Sequence, residues 1–276
     1  MKLIDGKALA AKMRAELKEK MEKANITPGL AVVLVGNDPA SQIYVRNKIR
    51  ACCEVGVRSY SYELPETATQ AEVEDLLDGL AKNPEIHGIL LQLPLPKGLD
   101  AESAMARIPA DKDVDGFSVE NLGLLTLHKE KLVSCTPLGV MKMLESEGID
   151  PTGKQAVVIG RSDTVGKPMA MLLLNANATV TVCHSKTKNL AEICKNADIL
   201  VAAIGRPKFV TRDMVKEGAV VVDIGINRTA DGKICGDVDF ENVADKTSCI
   251  TPVPGGVGPM TITMLMYNTC EAALKG

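Results

Sequence analysis

Tyr44 and Lys48 stand four residues apart in S-Q-I-Y-V-R-N-K, with Ser41 three residues before the tyrosine. On a helix this spacing puts the phenol and the ammonium on one face, while Arg46 and Arg50 fall off it. A lysine placed this way can move a proton, and desolvation can bring its pKa into the working range. The same spacing also suits a surface helix whose lysine lays its stem along apolar neighbours. Gln92 adds a second feature, because it interrupts the aliphatic run G-I-L-L-Q-L-P-L-P and a buried amide needs partners. Asp113 and Asp115, in K-D-V-D-G-F, lie in a turn-rich stretch with no helix to cap. A lysine, an amide and a carboxylate from three elements can converge at strand C-termini, where open α/β sheets bind ligands.

A second set of residues points to phosphate chemistry. Q-A-V-V-I-G-R-S-D-T-V-G-K-P has the order strand, glycine turn, helix, although the usual G-x-G-x-x-G is absent. Gly160 allows the tight turn and Gly166 the close approach of helix to sheet, leaving helix N–H groups for a phosphate. Pro168 suits the first helical turn. A glycine turn by itself also serves plain packing. The end of the next strand discriminates further: T-V-T-V-C is followed by His184, Ser185 and Lys186, without the acid that usually accepts from a ribose 2′-OH. Ser185, Lys186 and Arg161 can instead bind a 2′-phosphate, which favours NADP over NAD. Gly205 and Gly225 close two further strands, where backbone passes close to a nicotinamide ring in doubly wound folds, although each by itself reads more readily as an ordinary turn.

Positioning these groups falls to a chain of 276 residues, 46 % hydrophobic and 24 % charged, with a net charge of −3. The length suits one large domain or two modest ones. With no Trp, four Tyr and three Phe, the core must be aliphatic. Few rings and a slightly acidic balance argue against nucleic-acid binding. No apolar run is long enough to span a membrane, and the charged N-terminus lacks a secretory h-region. Eight cysteines, Cys52 and Cys53 adjacent and the other six scattered, without a C-x-x-C pair and with only three histidines, read mostly as reduced core residues of a cytoplasmic protein, not as a metal site.

The apolar pattern alternates between two periods. Helices are expected over 7–24, 41–54 and 70–82, with strands at 30–36, in S-Y-S-Y-E-L, and over 88–96. Residues 109–137 show little sustained period. A helix over 138–147 precedes strands at 155–160, 179–183, 199–205 and 219–225, with helices near 165–176, 189–195, 211–217 and 260–274. Such alternation means parallel α/β sheets with crossover helices. The expected architecture is two α/β lobes with a cleft between them, the second Rossmann-like.

Together these residues make the chain resemble the bifunctional methylenetetrahydrofolate dehydrogenase/methenyltetrahydrofolate cyclohydrolase family. The motifs that carry the resemblance are S-Q-I-Y-V-x-x-K, G-I-L-L-Q-L-P-L-P, K-D-V-D-G, C-T-P-x-G, G-R-S-x-x-V-G-x-P and P-G-G-V-G-P-M-T, spread over essentially the whole chain. The resemblance implies a folate and catalytic domain, residues 1–137 completed by the helix over 260–276, and an NADP-binding domain over 138–259. It implies Lys48 as the central catalytic group, Gln92 as its partner, Tyr44 as the ring that packs on the folate, and Asp115 as acceptor for the pterin. Gly160, Arg161, Ser162, Ser185 and Ile226 are the implied NADP contacts, tetrahydrofolates the substrates, and a homodimer the assembly. Two other readings stay open: a two-lobe NADP dehydrogenase acting on an amino acid or shikimate-like acid, and a non-catalytic NADP- or folate-binding module.

Overall fold

Both periods are realised in the computed structural model, which describes residues 1–229 and 232–275. In chain order it begins with β1 (Lys2–Leu3), α1 (Gly6–Ala24), β2 (Gly29–Val35), α2 (Pro39–Val55), β3 (Arg58–Leu64), α3 (Gln70–Lys82) and β4 (Gly88–Leu91). Two short helices, α4 (Ala101–Met105) and α5 (Val119–Thr126), lead to α6 (Cys135–Ser146). Next come β5 (Gln155–Ile159), α7 (Gly166–Asn175), β6 (Thr179–Cys183), α8 (Leu190–Cys194), β7 (Ile199–Ala202) and β8 (Val220–Asp223). Then follow a hairpin of β9 (Asn227–Arg228) and β10 (Ile234–Cys235), α9 (Phe240–Val243), β11 (Cys249–Ile250) and α10 (Val257–Lys275). The chain divides into two compact units, one of Ala11–Cys135 with Ile262–Gly276, the other of Met1–Ala10 with Thr136–Thr261.

The Ala11–Cys135 unit is built on a parallel sheet of order β3-β2-β4. β2 is buried at all seven positions, as an unbroken aliphatic run should be when covered on both faces. Val33, Val73, Leu77, Ile89 and Leu91 form the aliphatic core on one side of it. α3 starts on a capping box between Thr69 and Glu72 and buries Val73, Leu77 and Leu80 along one stripe. α2, which carries Tyr44 and Lys48, starts where Asp38 accepts from the Ser41 amide with Pro39 in the first turn. It stops at Gly56, whose left-handed backbone (φ 85°) sends its N–H back to Cys52.

The other unit holds a six-stranded parallel sheet of order β1-β11-β8-β7-β5-β6. Leu200, Val221, Ala202 and Ile159 are fully or nearly fully buried in its core. Among the described residues no helix is long and apolar enough to cross a membrane.

Some boundaries differ from the sequence expectation. The strand expected over 88–96 ends at Leu91, because Pro94 and Pro96 have no N–H for a ladder. Gln92 makes one more backbone bond, to Val33 O at 2.8 Å, and its side chain is half-buried rather than buried. α6 and α10 each begin three residues earlier than expected, since Pro137 and Pro259 sit in their first turns instead of ahead of them. The helix expected over 211–217 is a single 3-10 turn, Arg212–Met214. The aperiodic stretch 109–137 holds α5, capped by Ser118 accepting from the Asn121 amide. Lys2 and Leu3 pair with Cys249 and Ile250, so the N-terminal residues join the six-stranded sheet, although the domain expected first begins at residue 1.

Candidate active site

Lys48 projects from the last turns of α2 and donates from Nζ to Gln92 Oε1 at 3.0 Å. The Gln92 amide is itself oriented, because its Nε2 donates to Leu93 O at 2.6 Å. With that N–H committed, the amide oxygen can only face the lysine. Lys48 is half-buried, and Tyr44 one turn earlier is 46 % exposed. An exposed ring of this size on a folded surface is available for stacking.

The two aspartates of K-D-V-D-G have separate tasks. Asp113 is buried, and its carboxylate accepts from the amides of Gly116 (3.1 Å) and Ser118 (2.7 Å) and from Asn121 Nδ2 (3.1 Å). It is consumed in holding the loop. Asp115 is only partly exposed, and among the described residues no hydrogen bond reaches its carboxylate. Burial pushes this carboxyl up from its ordinary range; the Lys48 charge draws it back, and the Asp113 charge pushes it up again. The Lys48 charge therefore reaches the Asp115 carboxyl.

Two further residues support this loop and carried no assigned role in the sequence reading. Asn268 of α10 is buried, donating from Nδ2 to Val114 O (2.9 Å) and Val133 O (2.8 Å). Cys135 Sγ donates to Val114 O at 3.2 Å, and burial drives its thiol well above the ordinary range. The carbonyl just before Asp115 is thus tied from two directions. Asn268 had a visible signal, a lone amide in the apolar helix M-L-M-Y-N-T-C. The cysteines at 52, 135, 183, 194 and 270 are buried and free, those at 235 and 249 are intermediate, and Cys53 is exposed.

In the other unit, β5 and β6 are paired through Ile159 and Cys183, and Gly160 N extends the pairing to Cys183 O at 2.9 Å. Gly160 has φ 131°, and a Cβ there would lie 2.2 Å from Ala203 O. A Cβ on Gly166 would meet Gly160 O at 2.4 Å, so helix and strand end touch backbone to backbone. Both requirements of a dinucleotide turn are met without the usual third glycine. Ser162 Oγ accepts from the Val165 and Gly166 amides, each at 3.2 Å, and so holds the turn that leads into α7. The pairing register brings Arg161 and Ser185 to adjacent strand ends, both exposed. His184 shapes the turn beside them: its amide donates to Thr187 Oγ1, and its Nδ1 accepts from the Lys186 amide. Beyond β8, Ile226 is 53 % exposed, unusual for an isoleucine at a strand end. These groups fit a phosphorylated dinucleotide: a cramped glycine turn, a helix start, and cationic and hydroxyl side chains with no carboxylate at the end of β6.

This sheet and turn define the class, an α/β enzyme that binds a nicotinamide dinucleotide at its strand ends. Family models for the tetrahydrofolate dehydrogenase/cyclohydrolase catalytic domain and NAD(P)-binding domain match residues 4–115 and 134–276. The bifunctional protein FolD of Moorella thermoacetica is 57 % identical over 276 residues, 99 % of each chain. The crystal structure of the bifunctional enzyme FolD, methylenetetrahydrofolate dehydrogenase/cyclohydrolase, from Campylobacter jejuni superposes with a TM-score of 0.98 at 52 % identity, covering 100 % of this chain and 99 % of that one. That of the Trypanosoma brucei enzyme, complexed with NADP cofactor and inhibitor, gives 0.93 at 38 % identity, covering 99 % and 97 %. The chain belongs to the tetrahydrofolate dehydrogenase/cyclohydrolase family. The readings as an amino-acid or shikimate-type dehydrogenase and as a non-catalytic module are set aside by that membership.

Proposed function

We propose that this protein oxidises 5,10-methylenetetrahydrofolate to 5,10-methenyltetrahydrofolate with NADP and hydrolyses the methenyl product to 10-formyltetrahydrofolate. The observation that carries the reading is the Lys48–Gln92 pair at 3.0 Å in the same unit as the Asp115 carboxylate, in a chain of this family. The folate is the task of the Ala11–Cys135 unit with α10, and NADP that of the unit containing β5 and β6. Tyr44 packs its ring against the folate. Asp115 accepts from the pterin amino group and ring N–H, two parallel donors that suit a carboxylate to which none of the described residues donates a hydrogen bond.

The first half-reaction removes a hydride from the methylene carbon between N5 and N10, leaving an amidinium that the nitrogen lone pairs stabilise. NADP supplies the hydride acceptor when bound. This step needs no strong base, so the protein contributes positioning. Arg161 and Ser185 hold the 2′-phosphate, Gly160 and Ser162 receive the pyrophosphate at the helix start, and Ile226 packs against the nicotinamide ring. In the second half-reaction water adds to the amidinium carbon and loses one proton to solvent through Lys48. The C–N5 bond then breaks, and the remaining hydroxyl proton passes to N5. Lys48 takes the water proton as the neutral amine and passes it on, and Gln92, which accepts from Nζ, holds the amino group in place.

The enzyme works in the cytoplasm as a homodimer, without nucleic-acid or membrane partners. Its free cysteines suit a reducing compartment. The edge strand β6 exposes Thr179, Thr181 and Val182, a ladder edge that a second copy can cover. Purified protein mixed with methylenetetrahydrofolate and NADP should form NADPH. Absence of reduced cofactor with both NADP and NAD would overturn the proposal.

A further inference from the structure

Two buried carboxylates organise the strand ends of the six-stranded sheet, and neither has a role in the proposal above. Asp237 is fully buried. Its Oδ2 accepts from the amides of Ile204 (2.7 Å) and Gly205 (3.0 Å), its Oδ1 from the Arg206 amide (2.8 Å) and from Asn227 Nδ2 (2.9 Å). Three consecutive N–H groups wrapped around one carboxylate make a backbone nest, a concavity that elsewhere receives ligand phosphates. Here an internal side chain fills it. Asp223, at the end of β8, accepts in turn from the amides of Gly225 (2.9 Å), Asp237 (2.9 Å) and Val238 (2.8 Å). The fit is close enough that a Cβ on Gly225 would lie 2.2 Å from Asp237 Oδ1, and one on Gly236 1.8 Å from Asp223 Oδ2.

The stretches so fixed are 204–206 beyond β7 and 225–227 beyond β8, the second containing the exposed Ile226. Ligands of open parallel sheets bind at the C-terminal ends of neighbouring strands such as these. A buried ion with four donors is a rigid anchor, because losing any one donor leaves charge uncompensated.

We propose that Asp237 is a positioning residue of the dehydrogenase half-reaction: it clamps the 204–206 and 225–227 strand ends together and so fixes Ile226 where the nicotinamide must lie. The inference rests on the dinucleotide reading of this unit. Its chemistry is hydride transfer alone, since the Lys48, Gln92 and Asp115 side chains assigned to hydrolysis belong to the other unit. Misplacing a reacting ring by about 1 Å costs on the order of 10²-fold in rate.

Asp237→Asn replaces one acceptor oxygen by a donor that faces backbone N–H groups. It should lower the dehydrogenase kcat roughly 10²-fold while leaving hydrolysis of added methenyltetrahydrofolate, assayed without NADP, at its wild-type rate. The KM for NADP should move less than kcat. With substrate deuterated at the one-carbon methylene, the primary isotope effect on kcat should rise, because the hydride step becomes slower than its neighbours. A parallel loss of both activities, an unchanged dehydrogenase rate or an unchanged isotope effect would each overturn the inference. If Asp237→Asn yields no folded protein, Asn227→Ala carries the same test, since it removes one side-chain donor and leaves the nest in place. A wild-type protein that does not reduce NADP would instead overturn the proposed function.

Discussion

A lysine that donates to an oriented amide has one preferred direction for its ammonium, which a lysine in water lacks. Gln92 imposes that direction on Lys48, and its own rotation is blocked by the Leu93 carbonyl. Asp115 differs from Asp113 in the same way, by partners: one carboxylate has three protein donors and the other none among the described residues. At the dinucleotide turn the decisive side chain is Arg161, exposed beside a strand end that carries no acid. A charge-assisted hydrogen bond to phosphate is worth about 1.5–3 kcal/mol. Arg161→Ala should therefore raise the KM for NADP by roughly tenfold or more and leave that for NAD within about twofold. Steady-state kinetics with both cofactors provides the check, and equal effects would contradict the 2′-phosphate assignment.

At the scale of elements, α10 does more than close the fold. Its Asn268 ties the loops before Asp115 and before Cys135 through two carbonyls that are otherwise buried. Asn268→Leu keeps the apolar volume and leaves Val133 O without this donor, so unfolding in denaturant should show a loss of about 2 kcal/mol. The folate KM should rise with it, as Asp115 loses a fixed mount. An unchanged denaturation midpoint would show that the loop holds itself. Much of this architecture was legible in the chain. Continuous runs such as L-A-V-V-L-V announced buried parallel strands; Tyr44 and Lys48 stood out on one helix face, Gln92 inside an aliphatic run, and Asp113 and Asp115 in a turn-rich stretch. What escaped has physical causes. β1 and β11 are two residues long and carry no period. Pro137 and Pro259 look like helix stops until the first turn they occupy is seen. The Asp223–Asp237 arrangement is invisible because its donors are backbone N–H groups, which every sequence has.

At the scale of the whole molecule, a buried carboxylate ties stability to pH. Burial pushes Asp223 up to about 6, although the amides of Val238, Asp237 and Gly225 pull it down and the Asp237 charge adds to the rise. An unfolded aspartate releases its proton near 4. Between about pH 4 and 6 the folded protein holds a proton that the unfolded chain has lost, so this group's contribution to stability falls as pH rises through that window. The change is on the order of 3 kcal/mol. Denaturant unfolding of wild type and Asp223→Asn across that range should show the wild type losing ground to the variant as pH rises, with a constant difference above pH 7. A difference independent of pH would contradict the assignment.

Two chemistries in one chain, with hydrolysis dependent on Lys48 and oxidation on the dinucleotide unit, is the central claim. It is tested most directly by following methenyl absorbance after mixing methylenetetrahydrofolate and NADP with wild type and with Lys48→Met. The wild type should form the methenyl species and then hydrolyse it, whereas Lys48→Met should still bind NADP but hydrolyse added methenyltetrahydrofolate no faster than buffer does. Decay of the methenyl band at the wild-type rate in Lys48→Met would contradict the account.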